Sequence, residues 1–286
     1  MSLTLMYITN NPSVAEIAQS AGVDRVWVDM EYIGKDERQS GLDTVKSRHT
    51  IEDVEKIRSV ASASELLVRI NPIHEKTSMY LGTEEEVERT IAAGADVLML
   101  PYFKSASEVE RYVGCVNGRA KTMILVETAE AVENINSILD VPGIDEVHIG
   151  LNDLHLAYGM DFMFELLCDG TVEKLCNAFR KRGLKYGFGG IARVGFGPLP
   201  AEYVIAEHYS LGSSAAILSR DFCNANKIEN VEEIRAIFNE GIAGIRSREE
   251  EASHFTSAEF AANHQFVVEK TREIAAARRA RKAAHE

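Results

Sequence analysis

The sequence is short of several things, and each shortage closes off a class of function. It has four cysteines, Cys115, Cys168, Cys176 and Cys223, and no CxxC pair among them. Thiols so few and so scattered over 286 residues make no disulfide framework, and point to the reducing cytoplasm. No apolar run approaches the roughly 20 residues needed to cross a bilayer. The opening "MSLTLMYITNNP" has no basic stretch and no small-residue cleavage site, so no secretory leader is expected. Positive charge is also scarce. The formal net charge of -13 argues against nucleic acids and anionic membranes as partners. Histidine and cysteine nowhere cluster with zinc-site spacing. What remains is a chain that is 45% hydrophobic, enough for a sizeable core.

Short apolar segments alternate with amphipathic ones almost throughout. The strands read as Leu3–Ile8, Arg25–Asp29, Glu65–Ile70, Asp96–Pro101, Thr122–Glu127, Glu146–Gly150, Lys185–Gly190 and Leu211–Leu218. Helical patterns follow each. Asn11 is positioned to cap the first helix, with Pro12 in its first turn and Gly22 as its stop. Thr50 and Asp53 have nearly the spacing of a capping box. Eight strand–helix units without a linker predict a (β/α)8 TIM barrel over residues 1–250; a doubly wound open sheet is the rival. Residues 251–286, rich in Ala, Glu, Lys and Arg, predict an extra helical tail. Its apolar positions Phe260, Phe266, Val267 and Ile274 suit packing on a neighbouring subunit, in a homo-oligomer, while its last ten residues read as solvated. The polar stretch between Glu31 and Arg48 is too long for a passive connection.

Barrel enzymes work at the C-terminal ends of their strands. Polar residues that end an apolar strand are therefore the candidates: Asp29 and Glu31 after the second, Arg69 in the third, Glu127 after the fifth, and Asp153 after the sixth. Strands five and six should lie about 4.8 Å apart, so Glu127 and Asp153 can share one cation. An all-oxygen site suits Mg2+ or Mn2+. The alternatives are a helix cap for Asp153 and an ion pair with Arg69 for Glu127. Arg69 would hold a carboxylate bidentately. Metal and guanidinium together suit a 2-oxo acid and its enolate. "GFGGIARVGFG", Gly187–Gly197, lacks the order of a dinucleotide fingerprint. It either cradles a phosphate with Arg193 or forms a tight turn. His148 reads as a satisfied structural histidine.

The stretches "AGVDRVWVDMEY", "LVRINP", "AAGADVLMLPYFKSASEVE", "ILVETAEAVENINSI" and "GIDEVHIGLNDLHLAYG" resemble, in order and spacing, the HpcH/HpaI aldolase and citrate lyase β-subunit superfamily. The resemblance implies a divalent metal on Glu127 and Asp153. It also implies a pyruvate-like moiety held by Arg69 and by backbone N–H groups near Asn152, with Asp29 and Glu31 holding Arg69 or metal-bound water. "IGKDERQSGLDTVKSRHT" and "GFGGIARVGFGPLPAEY" resemble a branch associated with bacterial surface-polysaccharide biosynthesis. One departure stands out. The class II aldolases of the superfamily carry Asp-x-Glu-His, and here the run is "DMEY", with Tyr32 at the histidine position. Tyrosine, with a pKa of about 10, is a poor base at neutral pH. His49 is a candidate replacement, or an ordinary exposed loop histidine. The expectation is a metal-dependent carbon–carbon lyase acting on a small 2-oxo acid or related acid. A non-catalytic metal- and pyruvate-binding scaffold and a metal-dependent isomerase or mutase are the alternatives.

Overall fold

The computed structural model describes residues 2–34 and 47–284. Eight parallel strands close into a barrel in chain order, β8 pairing with β1. They are β1 (Thr4–Ile8), β2 (Arg25–Asp29), β3 (Glu65–Arg69), β4 (Val97–Leu100), β5 (Lys121–Val126), β6 (Glu146–Ile149), β7 (Lys185–Ile191) and β8 (Ala215–Leu218). This is the predicted (β/α)8 barrel, and the open-sheet rival falls with the β8–β1 pairing. The helices that bear on the argument are α1 (Pro12–Ser20), α2 (Ile51–Val60), α3 (Thr83–Ala92), α4 (Ala106–Val116), α5 (Ala129–Glu133), α6 (Ile135–Leu139), α7 (Leu151–Ala157), α8 (Glu165–Cys168), α9 (Thr171–Lys181), α10 (Ala201–Ser210), α11 (Val231–Ser253) and α12 (Ser257–Ala283). Residues 35–46, most of the long polar stretch, lie outside the described residues.

Local chemistry sets the element ends. The Asn11 side chain accepts from the Ser13 N–H at 3.0 Å, and Gly22 ends the turn after α1 with φ +96°. Asp53 accepts from the Thr50 N–H at 3.1 Å. One strand boundary differs from expectation by more than a single residue. β8 starts at Ala215, not Leu211, because Leu211 still caps α10 and Gly212 turns the chain in the left-handed region, φ +68°.

Alternate strand residues face the barrel interior, and they form three storeys. At the N-terminal end Arg25 forks onto Glu146 (Nη1–Oε2 2.6 Å, Nη2–Oε1 2.7 Å) and its Nε binds Glu65 at 2.8 Å; Lys121 pairs with Glu65 as well. Above this charged floor lie Met6, Trp27, Leu67, Met99, Met123 and Leu125, all buried. Above them stand Asp29, Arg69 and Glu127. Strand β2 therefore reads Arg25, Trp27, Asp29 from floor to rim. A larger apolar shell fills the space between sheet and helices.

The tail finds its seat on its own barrel. Asn263, Val267, Thr271 and Ala275, four residues apart, are the buried face of α12. Phe266 stacks on Tyr203 of α10 at 3.9 Å, and the buried Glu207 carboxylate accepts from Asn263 Nδ2 at 2.8 Å and faces His264 Nδ1 at 2.9 Å. Two polar residues thus occupy the stripe where the sequence suggested only apolar ones. Near its end, Arg279 and Lys282 each pair with Asp161 at 2.8 Å.

β7 is rich in glycine for a steric reason. A Cβ on Gly187 would stand 2.7 Å from His148 Nδ1 and 2.3 Å from the Ala215 carbonyl oxygen. Removing that carbon makes room for the His148 ring, whose Nε2 donates to the Gly189 carbonyl at 3.1 Å. His148 is structural as expected but only half satisfied: its Nδ1 has no partner among the described residues. His208, on α10, stacks flat on Phe188 at 3.8 Å with its Nδ1 2.7 Å from Ser213 Oγ. Burial pushes His148 down to about 4 and His208 down to about 3, in the latter case with help from His148. Their unfolded value is about 6.5. Below that pH the unfolded chain takes up protons that the folded barrel refuses, so stability should fall as pH drops from about 6.5 towards 4. Thermal unfolding across this range should show the decline, and the double substitution His148→Gln, His208→Gln should flatten it; an unchanged slope would clear both residues.

Candidate active site

The rim is organised by Arg69. Its Nε and Nη2 each donate to one oxygen of Asp29 at 2.8 Å, its Nη1 lies 3.3 Å from Glu31 Oε2, and the guanidinium covers the Trp27 ring at 5.1 Å. All three charged residues are buried. Desolvation alone would lower the arginine's pKa; Asp29 and Glu31, joined by Glu127, outweigh it and hold it well above the ordinary value. A cation here without its carboxylates would be prohibitive, and the pairing is what makes the placement possible. The fork does hold a carboxylate bidentately, that of Asp29, and the third edge, Nη1, faces Glu31. Asp29 and Glu31 serve as holders of Arg69, one of their two expected roles.

Glu127 follows β5 and is buried. Its Oε1 accepts the Tyr102 N–H at 3.0 Å, from a residue held at φ +52°, a conformation rare outside glycine. A Cβ on Gly150 would meet both Glu127 Cβ and Oε2 at 2.8 Å, so glycine at that position leaves the carboxylate its space. Strands β5 and β6 pair in register up to Val126 opposite Ile149, and the Gly150 N–H donates to Val126 at 2.9 Å. Asp153 stands in the first turn of α7, not in a loop, and it is not the cap: Gly150 is. Glu127 and the turn bearing Asp153 are thus brought together at neighbouring strand ends. Asn152 shares that turn, whose leading N–H groups have no acceptor within the helix. Among the described residues no group of three or more metal-binding side chains occurs.

His49 also arrives at the rim. The Asp29 N–H donates to its Nδ1 at 3.0 Å, and the ring shares a cavity of about 460 Å³ with Asp29 and Arg69. With the Nδ1 lone pair engaged, a neutral ring carries its proton on Nε2. In this form His49 is a hydrogen-bond donor, which does not suit the proton acceptor inferred from sequence. Tyr32 is no substitute. It lies against Tyr80 at 5.4 Å, away from that cavity, and burial, with Glu86 and Tyr80, raises its pKa.

Arg193 is the sequence candidate that the structure moves away. Its guanidinium stacks on Phe196 at 4.0 Å and its stem packs on α11, where a Cβ at Gly241 would be 3.2 Å from its Cγ. It lines a cavity of about 540 Å³ that contains neither Arg69 nor Asp29, although Arg220, Cys223 and Asn224 line both it and the cavity at the rim. Sequence reasoning missed Asn71. Its Oδ1 accepts the N–H groups of Tyr32 and Ile33 at 3.0 Å each, and its Nδ2 donates to buried Glu86 at 2.8 Å. This clamp fixes the chain just beyond Glu31. Its only signal was an asparagine two residues after Arg69.

Residues 3–163, more than half of the chain, match the HpcH/HpaI aldolase/citrate lyase family. The chain belongs to that family. A 2-keto-3-deoxy-L-rhamnonate aldolase of Shigella dysenteriae is 25% identical over 212 residues, 63% of this chain and 71% of that protein. The aldolase of the same name from Escherichia coli K12 is 26% identical over 51% of this chain and 58% of its own length. A solved family member from Burkholderia cenocepacia superposes with a TM-score of 0.61 at 16% identity, covering 82% of this chain and 95% of that one, a likeness of fold.

Removing Asp29 should test the rim directly. Asp29→Ala strips two charge-assisted hydrogen bonds from a buried guanidinium, and should cost about 3–5 kcal/mol in denaturant unfolding. A change near zero would mean that Arg69 does not depend on Asp29.

Proposed function

We propose that the chain makes or breaks a carbon–carbon bond beside the carbonyl of a 2-oxo acid, through an enolate. In this reading Glu127 and Asp153 are the carboxylate ligands of a divalent cation, Mg2+ or Mn2+. The observation that carries it is the seat of Glu127: a buried carboxylate with one oxygen held by a strained backbone N–H and the other lodged over a glycine, next to the turn of Asp153. Two hard oxygen donors fit an ion that keeps its other positions for water and substrate. Membership of an aldolase and lyase family agrees with this and weighs against a scaffold without activity. Free thiols at all four cysteines agree with a cytoplasmic home.

A cation so held supplies Lewis acidity, lowering the energy of negative charge on the substrate's keto oxygen. Everything else falls to side chains and backbone. Arg69 presents Nη1 to the oxygen where charge grows, and its clamp by Asp29 means no reorganisation at the moment of reaction. The first-turn N–H groups of α7, at Leu151 and Asn152, suit the substrate carboxylate. His49 stands beside Asp29, whose N–H holds its Nδ1. Trp27 and the apolar storey beneath keep water from below.

Calorimetric titration with Mn2+ should show binding to the native chain and its loss in both Glu127→Gln and Asp153→Asn, each still unfolding cooperatively; retained affinity in both refutes the ligand assignment. With Mg2+ and pyruvate in deuterated water, proton NMR should show deuterium entering the methyl group. Arg69→Lys should slow that exchange by about 100- to 1,000-fold. An exchange rate indifferent to Arg69 would remove it from the chemistry.

A further inference from the structure

We infer that the other half of the substrate, the part that does not become the enolate, carries a phosphate monoester, bound between Arg220 and Lys227. This rests on the aldolase reading of the rim and extends it to a second cavity. That cavity, of about 470 Å³, opens at the C-terminal ends of β7 and β8, where barrels commonly bind phosphate. Part of its wall is Gly190, Ala192 and Gly197, which bring backbone rather than bulk to the ligand. Its charged residues are Arg220, Lys227 and a single acid, Asp221.

The two cavities adjoin. Ser219, Arg220 and Asn224 line both this one and the cavity that holds Asp29, Arg69 and His49. A molecule with its oxo acid at Arg69 therefore extends past Ser219 and Asn224 to reach Lys227. The cations stand on ordered backbone. The Ser219 N–H donates to the Ile191 carbonyl at 2.9 Å, the Phe222 and Cys223 N–H groups fold back onto the Ser219 carbonyl at 3.0 and 3.3 Å, and the Lys227 N–H closes on Asn224 at 2.9 Å. Little ordering is left for a ligand to impose. The Lys227 ammonium makes no ion pair among the described residues.

A phosphate dianion matches this set better than a carboxylate. It offers three acceptor oxygens and a double charge to a planar fork, an ammonium, a hydroxyl and an amide. All three charged residues lie beyond residue 163, outside the stretch that the family model matches. Arg193, which the sequence put forward for this task, stacks on Phe196 and does not line this cavity.

Isothermal titration with inorganic phosphate and with glycerol 3-phosphate is the test, on the full chain and on Lys227→Met, Arg220→Met and Arg193→Met. Both cavity side chains are exposed, so their truncation should leave the melting temperature in place. Saturable binding is expected, weakened about tenfold or more in Lys227→Met and Arg220→Met and unchanged in Arg193→Met. Absence of binding overturns the inference, as does loss confined to Arg193→Met or equal affinity for glycerate. Pyruvate exchange, measured separately, tells the two readings apart: exchange without phosphate binding sinks the second cavity alone, and phosphate binding without exchange sinks the reading on which it rests.

Discussion

A guanidinium held by two carboxylates under the mouth of a barrel is the constraint on which the upper storey depends. Arg69 is buried, and it is tolerable there because Asp29 takes two of its edges and Glu31 stands by the third. Each member then fixes another part of the rim. The Asp29 N–H orients His49, and the chain beyond Glu31 is clamped by Asn71, itself held by Glu86. Glu127, across the mouth, feels the same cation while its oxygens are set by Tyr102 and Gly150. The result is a rim with charges in place before any ligand arrives, the condition under which electrostatic stabilisation is most effective.

Much of this was legible in the sequence, because strand geometry is simple. A period of two turns "RVWVD" into floor, middle and rim, and it made Asp29, Arg69 and Glu127 readable as one end of a barrel. What was not legible depends on rotamers and on partners distant in the chain. That Arg69 spends its fork on Asp29 is a matter of side-chain torsion across 40 residues. That His49 accepts through Nδ1 required knowing where its loop lands. Arg193 follows a strand, as a site residue should, yet Phe196 and the small Gly241 on α11 gave it a better berth. Arg220 lies in a turn and Lys227 ends a three-residue 3-10 helix, with no periodic signal at all.

The tail shows the same limit. Its composition predicted a helix, and α12 is one. Apolar counting pointed outward, to another subunit, because Asn263 and Thr271 do not look like core. Both are buried, Asn263 by a hydrogen bond to Glu207, a residue more than 50 positions earlier. Buried polar partners of that kind are fixed by tertiary contact and leave no mark on local pattern.

The salt-bridged floor of Arg25, Glu146 and Glu65 has a kinetic side. With that end plugged by charge and the middle packed with Trp27 and its neighbours, the described residues leave the strand-end mouth as the way in. Whatever binds deepest must enter first and depart last. A vessel closed at its foot lets its lowest occupant exchange with solvent only past whatever sits above it.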